Sequence, residues 1–228
     1  MKNSYRQVPC RLALAACMLF GATPADAASV VVFDNSAPNH LGGNNMGYAF
    51  QAEDFSLAAA ASITDIRFWS LESDGAYRGS ISWSIMSNGA GAPGATTLAA
   101  GTQAAVSRSA LGSFLGLNEV RNDFGLNAPL TLVPGTYWLV LHNGAPGDLG
   151  DPNEFIWESA ANNATARGAE RFDLAGSWST TGTEHAFQVS AVPEPAHLLM
   201  LLAGLTLLTY ARRRDQRCDI VAQPPGEQ

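Results

Sequence analysis

The chain reads as an all-β protein: a single jelly-roll-like β-sandwich, flanked by a signal peptide and a C-terminal transmembrane helix. Three observations predict the sandwich. Short apolar or alternating runs recur between Ala28 and Val192, with Gly- and Pro-rich punctuation between them. No stretch in that interval sustains a helical period. It holds no cysteine, so its core alone must hold it, and about 165 residues are enough for one core without staples.

The elements follow from the N terminus. Lys2, Arg6 and Arg11 precede the apolar Leu12–Phe20, and the small-residue site Ala25-Asp26-Ala27 follows. Basic, then apolar, then A-x-A is the pattern of a secretory signal peptide, with cleavage by signal peptidase after Ala27 and residues 1–27 removed. Leu14-Ala15-Ala16-Cys17 also resembles a bacterial lipoprotein box. Only Leu12–Ala16 would then separate the last basic residue from Cys17, shorter than the usual apolar region, and that favours ordinary cleavage.

The exported domain spans 28–191. Val30–Phe33 is an apolar, β-branched run. Phe55, Leu57, Ile63, Ile66 and Phe68 fit strands around a bend at Ala58–Ala61 better than a helix. Ile81-Ser-Trp-Ser-Ile85 alternates with period two, placing Ile81, Trp83 and Ile85 on one face. Asn88-Gly89 and Ala92-Pro93-Gly94 are turns. Thr131–Val133 is a short strand stopped by Pro134-Gly135, and Tyr137–Leu141, apolar on both faces, is a central strand. Asn143–Gly150 is a long turn. Glu154–Glu158 reads as an edge strand with a solvated acidic face, and Glu184–Ala191 as a strand with Phe187 and Val189 together.

At the other end, Pro193 and Pro195 lack backbone N–H groups and push Val192 and Glu194 toward extended geometry. Ala196–Ala211 is uncharged and apolar all round. As a helix it spans roughly 24 Å, short of the ~30 Å hydrocarbon core, with Tyr210 and snorkelling arginines extending its reach. Arg212, Arg213 and Arg214 hold that end in the cytoplasm, leaving 215–228 as a cytoplasmic tail.

This order of parts, 192–214, resembles the PEP-CTERM sorting signal of exported bacterial proteins. The resemblance implies recognition of Val192, Pro193, Glu194 and Pro195 by exosortase, a membrane protease. It implies anchoring in the inner membrane before processing, then release to the cell surface or an exopolysaccharide or biofilm matrix. This chain departs from the family by continuing past the basic cluster. Glu53-Asp54-Phe55, Ile66–Trp69, Ala92-Pro93-Gly94 and Pro134–Leu139 are similar to β-sandwich domains found upstream of such tails. That similarity names an architecture, not an activity; the resemblance to sorted surface proteins implies a structural or adhesive role.

Charge narrows the partners. The chain carries a formal net charge of −7, and between Ala28 and Val192 six arginines face fifteen acids. Nucleic acid and anionic lipid surfaces are disfavoured, leaving neutral glycans, cations or proteins. Catalysis finds no support: there is no G-x-S-x-G, and His142 reads as a satisfied strand-end residue. No cofactor is implied except a candidate calcium ion at Asp148, Asp151, Asn153 and Glu154, a cluster of hard oxygen ligands without the EF-hand spacing. Among the tryptophans, Trp83 and Trp138 read as core, and Trp178, in the polar Gly176–Ser179, is the candidate sugar platform. The expectation is a non-enzymatic surface protein, with a carbohydrate-binding module as the alternative and a polysaccharide hydrolase behind it.

Overall fold

The computed structural model of the protein describes residues 28–161, 168–192 and 204–206. Its strands are β1 (Val30–Asp34), β2 (Pro38–Asn45), β3 (Phe50–Leu57), β4 (Ala61–Glu72), β5 (Ile81–Asn88), β6 (Pro93–Gln103) and β7 (Ser107–Phe114). They continue as β8 (Leu117–Leu132), β9 (Gly135–Asn143), β10 (Phe155–Ala160), β11 (Ala169–Arg171), β12 (Ser179–Thr180) and β13 (Phe187–Val192). All pairings are antiparallel. A seven-stranded sheet holds β1, β13, β4, β10, β2, β8 and β7, and a six-stranded sheet runs β12-β11-β3-β9-β5-β6. Gly204–Thr206 are helical, and among the described residues no helix is long and apolar enough to cross a membrane.

The two sheets close on one main core. Phe55, Ile81, Trp83, Ile85, Leu139 and Leu141 come from the six-stranded sheet; Ile66, Phe68, Phe155, Trp157, Phe187 and Val189 come from the other. Burying rings and branched side chains on the inward face of every strand stabilises the sandwich, at roughly 25 cal/mol per Å² of apolar area. β9 is apolar on both faces because it has two jobs. Tyr137, Leu139 and Leu141 enter the main core, while Trp138 and Val140 join Phe50, Ala52, Met86 and Ala169 in a second cluster on the outer face. Trp138 donates its indole N–H to Asn88 Oδ1 at 2.9 Å, so the ring is buried without an orphaned polar atom.

The strands expected at Val30–Phe33, Ile81–Ile85, Tyr137–Leu141 and Phe187–Val189 are present. Two expectations are corrected. Thr131 and Leu132 close a long strand, β8, and Val133 lies outside it. β10 is no edge strand: it pairs with β4 on one side and β2 on the other, and Glu158 is fully buried.

The junction between β10 and β13 organises this sheet. β10 runs beside Ser70–Glu72 of β4 and then peels away; β13 takes its place beside Ser62–Phe68. His185 bridges to Ser159 at the crossing, and the Ala186 carbonyl accepts the Trp157 indole N–H. β2 docks on β10 at Gly43, opposite Glu158. A Cβ there would lie 1.9 Å from the Trp157 carbonyl oxygen, so only glycine permits this approach.

Candidate functional site

The outer face of the six-stranded sheet carries a groove. Register places Ala52, Val140, Ser84 and Ala100 in one cross-strand row, and His142, Ser82 and Thr102 in the next. Small side chains on β5 and β6 leave a floor low, while Arg171, Leu174 and Pro146 stand as its walls. The enclosed volume is about 370 Å³, within the range of small-ligand pockets. Ser82 Oγ lies 3.1 Å from Thr102 Oγ1 and donates to the Gly144 carbonyl at 2.6 Å, so hydroxyls rather than charges line the bottom.

Aromatic rings flank the Arg171 wall. The Arg171 guanidinium lies 5.2 Å from the Phe50 ring centre and 4.7 Å from that of Trp178. Burial lowers the Arg171 pKa, and among the described residues its Nε has no hydrogen-bond partner. Trp178 is half-buried against the second apolar cluster, with one ring face under Arg171. It supports the wall more than it offers a free platform. The open rings are Tyr48 and Phe172, 50% and 51% exposed, which meet edge to face at 5.8 Å. Both escaped sequence reasoning because neither sits in an alternating strand.

The acidic loop is organised differently from a calcium cage. Arg78 Nε donates to Asp151 Oδ2 at 2.7 Å, and its Nη1 lies 3.9 Å from Asp148 Oδ2. Asp148 also accepts the Ala145 N–H, and Asp151 accepts the Asn153 N–H at 3.0 Å. Hydrogen bonding, first from the Asn153 backbone and then from Arg78, overcomes burial and lowers the Asp151 pKa. Glu154 is exposed, and the Asn153 carbonyl is taken by Asn45 Nδ2. Asp148 and Asp151 face a built-in cation and local amides rather than an open cage.

Buried acids missed by the sequence reading lie elsewhere. Glu53 points inward from β3, two positions before Phe55, and is fully buried with His185. Its Oε2 accepts the His185 backbone N–H at 2.8 Å and lies 2.8 Å from Nδ1 of the same residue; Nε2 lies 3.1 Å from Asn44 Oδ1. Burial, reinforced by the Glu184 charge, pushes Glu53 up to about 9, and burial pulls His185 down to about 3. A neutral carboxyl donating to Nδ1, with the opposite imidazole N–H donating to Asn44, fits both directions and leaves no charge in the core. The Trp157 ring stacks on His185 at 4.7 Å. With both side chains fully buried, the pair acts as a pin between the sheets.

His142 departs from expectation as well. It is buried against Phe50, at 5.0 Å between ring centres; among the described residues neither ring nitrogen meets a partner in hydrogen-bond geometry, although the backbone at Met46, Ala49 and Ala145 approaches it. Burial lowers its pKa. Of the sorting motif, only Val192 is described; it ends β13, paired with Ser62. Ala25, Ala27, Pro193, Glu194, Pro195, the proposed helix apart from Gly204–Thr206, and Arg212–Arg214 lie outside the described residues. No family model matches this chain, and no curated protein matches it significantly.

Proposed function

We propose that this chain is a non-enzymatic bacterial surface or extracellular-matrix protein whose jelly-roll-like sandwich holds neutral polysaccharide. The observation that carries the reading is the groove on the six-stranded sheet, floored by Ser and Thr hydroxyls and lined by the Phe50 ring, Arg171 and Leu174. Hydroxyl floors exchange hydrogen bonds with sugar hydroxyls, and aromatic rings pack on the apolar C–H face of a pyranose. An acidic chain favours a neutral glycan over an anionic one.

Delivery rests on the ends of the sequence. Export would begin with signal peptidase at Ala27. The resemblance of 192–214 to a PEP-CTERM signal supports a transient inner-membrane anchor processed by exosortase. Pro193 directly follows the last strand of the sandwich, so processing there would release the whole domain.

Binding of the full chain to an array of neutral polysaccharides tests the groove. Thr97→Ala and Leu174→Ala, both exposed and lining the groove, should weaken binding at unchanged melting temperature; equal binding by both variants would remove the groove from the reading. Narrow selectivity for one oligosaccharide would favour a dedicated carbohydrate-binding module over a matrix adhesin. Fractionation tests delivery. With Pro193-Glu194-Pro195 replaced by alanines, the chain should stay in the inner membrane at its larger mass in a host that has exosortase. A plain anchor predicts that wild type and variant behave alike.

A further inference from the structure

On the outer face of the seven-stranded sheet, three side chains from three strands converge. Glu158 comes from β10, Glu119 from β8 and His40 from β2. One ligand atom from each lies within 4.8 Å of the others, and among the described residues no other group of three or more His, Cys, Asp or Glu comes so close. His40 Nδ1 is 3.2 Å from Glu158 Oε1 and 4.0 Å from Glu119 Oε2.

Glu158 makes this more than a cluster of acids. Its side chain is fully buried, and among the described residues neither carboxylate oxygen meets a donor in hydrogen-bond geometry; its neighbour His40 Nδ1 stands 3.2 Å away. A buried carboxylate without partners is costly, and native structures pair such groups or give them a metal. Among the described residues no lysine or arginine pairs with it, although the same sheet supplies Arg67 and Arg121 to Asp123. The surroundings also hold the ring in place. Asn39 donates to the Ala160 carbonyl and accepts from Ser159 Oγ at 2.7 Å, which pins the strand beside His40. His40 itself adopts φ 55°, and the Phe114 ring packs on it at 5.3 Å.

We propose that His40, Glu119 and Glu158 form a binding site for a divalent first-row transition metal, of which zinc is the type. One imidazole nitrogen with two carboxylates suits zinc better than calcium or magnesium, which take all-oxygen shells. Three protein ligands leave a fourth position for water, and His40, 51% exposed, borders the solvent side. The ion would tie β2, β8 and β10 together across β4 and neutralise Glu158. It is independent of the groove, which lies on the opposite sheet.

The test uses the full chain in detergent, stripped with chelator and titrated with zinc. The wild type should bind one ion more than His40→Ala, and zinc should raise its melting temperature. His40 is half-exposed, so that variant should fold, and its unchanged melting curve without metal would verify this. Glu119→Gln should weaken binding by more than about tenfold, the range seen for loss of even an outer partner. Cobalt(II) separates this site from the cysteines of the chain, because nitrogen and oxygen ligands give weak visible bands without the intense thiolate charge-transfer band. Equal zinc stoichiometry and affinity in wild type and His40→Ala would overturn the proposal. So would a calcium response as large as that to zinc, or a His40-dependent spectrum dominated by thiolate.

Discussion

The Asp148–Glu154 loop and the Glu158 cluster are both acidic, and both bury a carboxylate, but the protein treats them in opposite ways. At the loop, Arg78 reaches across from the 73–80 connection and donates to Asp151, whose remaining oxygen takes a backbone N–H. Burial is outweighed there, and the Asp151 pKa falls. At the cluster the neighbours are a second carboxylate and an imidazole; burial, with the Glu119 charge added, pushes Glu158 up to about 7. Acid content does not distinguish the two. What distinguishes them is whether the chain supplies its own cation. A site with a resident guanidinium is closed to metal, and a site that buries a carboxylate bare is electrostatically incomplete.

The opposite shifts give opposite pH slopes, and the larger belongs to Glu158. Its folded pKa of about 7 lies above the ordinary 4.5 of a glutamate in the unfolded chain. The folded state therefore binds the proton more tightly. The stabilisation is complete below the unfolded value and is lost as pH rises through about 7. At about 1.4 kcal/mol per unit, metal-free protein should lose at most about 3–4 kcal/mol from this group. Glu158→Gln should remove that loss, so urea unfolding in chelator should show the variant ahead at pH 8.5 and level with wild type near pH 4.5. Glu53, also raised, is common to both proteins and cancels. Added zinc should reverse the order at pH 8.5, because only the wild type gains the ion. Unfolding curves that stay parallel across this range would mean that Glu158 has a neutralising partner after all.

Arg78→Ala attacks the other side of the comparison. The pair is neither exposed nor sealed: the Arg78 side chain is 38% exposed and that of Asp151 4%. Its loss should cost about 1–2 kcal/mol at neutral pH, between the values for surface and buried pairs. Asp151, with its folded pKa lowered, stabilises the fold above the unfolded value of 3.8 and less as pH falls through the folded one. The variant should lose part of that acid-side slope and leave the alkaline side as in wild type. A double-mutant cycle with Asp151→Asn should return a coupling of similar size. Zero coupling would make Arg78 a bystander and erase the contrast.

Where the chain alternates, the sequence was informative. Period two through Ile81, Trp83 and Ile85 predicted one core face, and the same period carried back from Phe55 and Phe187 would have placed Glu53 and His185 inward, opposite each other. That signal was present and was masked by the habit of reading acids as surface. β2, β6, β7 and most of β8 left no such trace. The first three are rich in Gly, Ala, Ser, Thr and Asn, and none of their residues but Pro93 of β6 is buried, while β8 buries only Val120, Asn122, Phe124 and Leu132, so backbone pairing more than apolar patterning holds them. The Glu158 cluster was invisible for a further reason. Its three residues lie on three strands far apart in the chain, and Glu158 is covered by neighbours that local pattern cannot assign. The loop misled for the converse reason: its acids are adjacent in sequence, whereas their partner, Arg78, is not.

Calcium should have the smallest effect and the sharpest diagnostic value. In the wild type the loop carboxylates already face Arg78, so calcium should leave the melting curve unchanged. Arg78→Ala vacates that place and leaves Asp148 and Asp151 beside the carbonyls and amides of the turn. If the exposed loop then behaves as a weak extracellular site, with Kd of about 1 mM, 10 mM calcium stabilises by about 1.4 kcal/mol. That corresponds to a rise of roughly 3–6 °C for a domain of this size. The comparison rests on the difference between the two proteins, measured with and without chelator. A calcium-dependent rise in the wild type that survives His40→Ala would place an ion at the loop despite Arg78, and a resident guanidinium would then no longer mark a closed site.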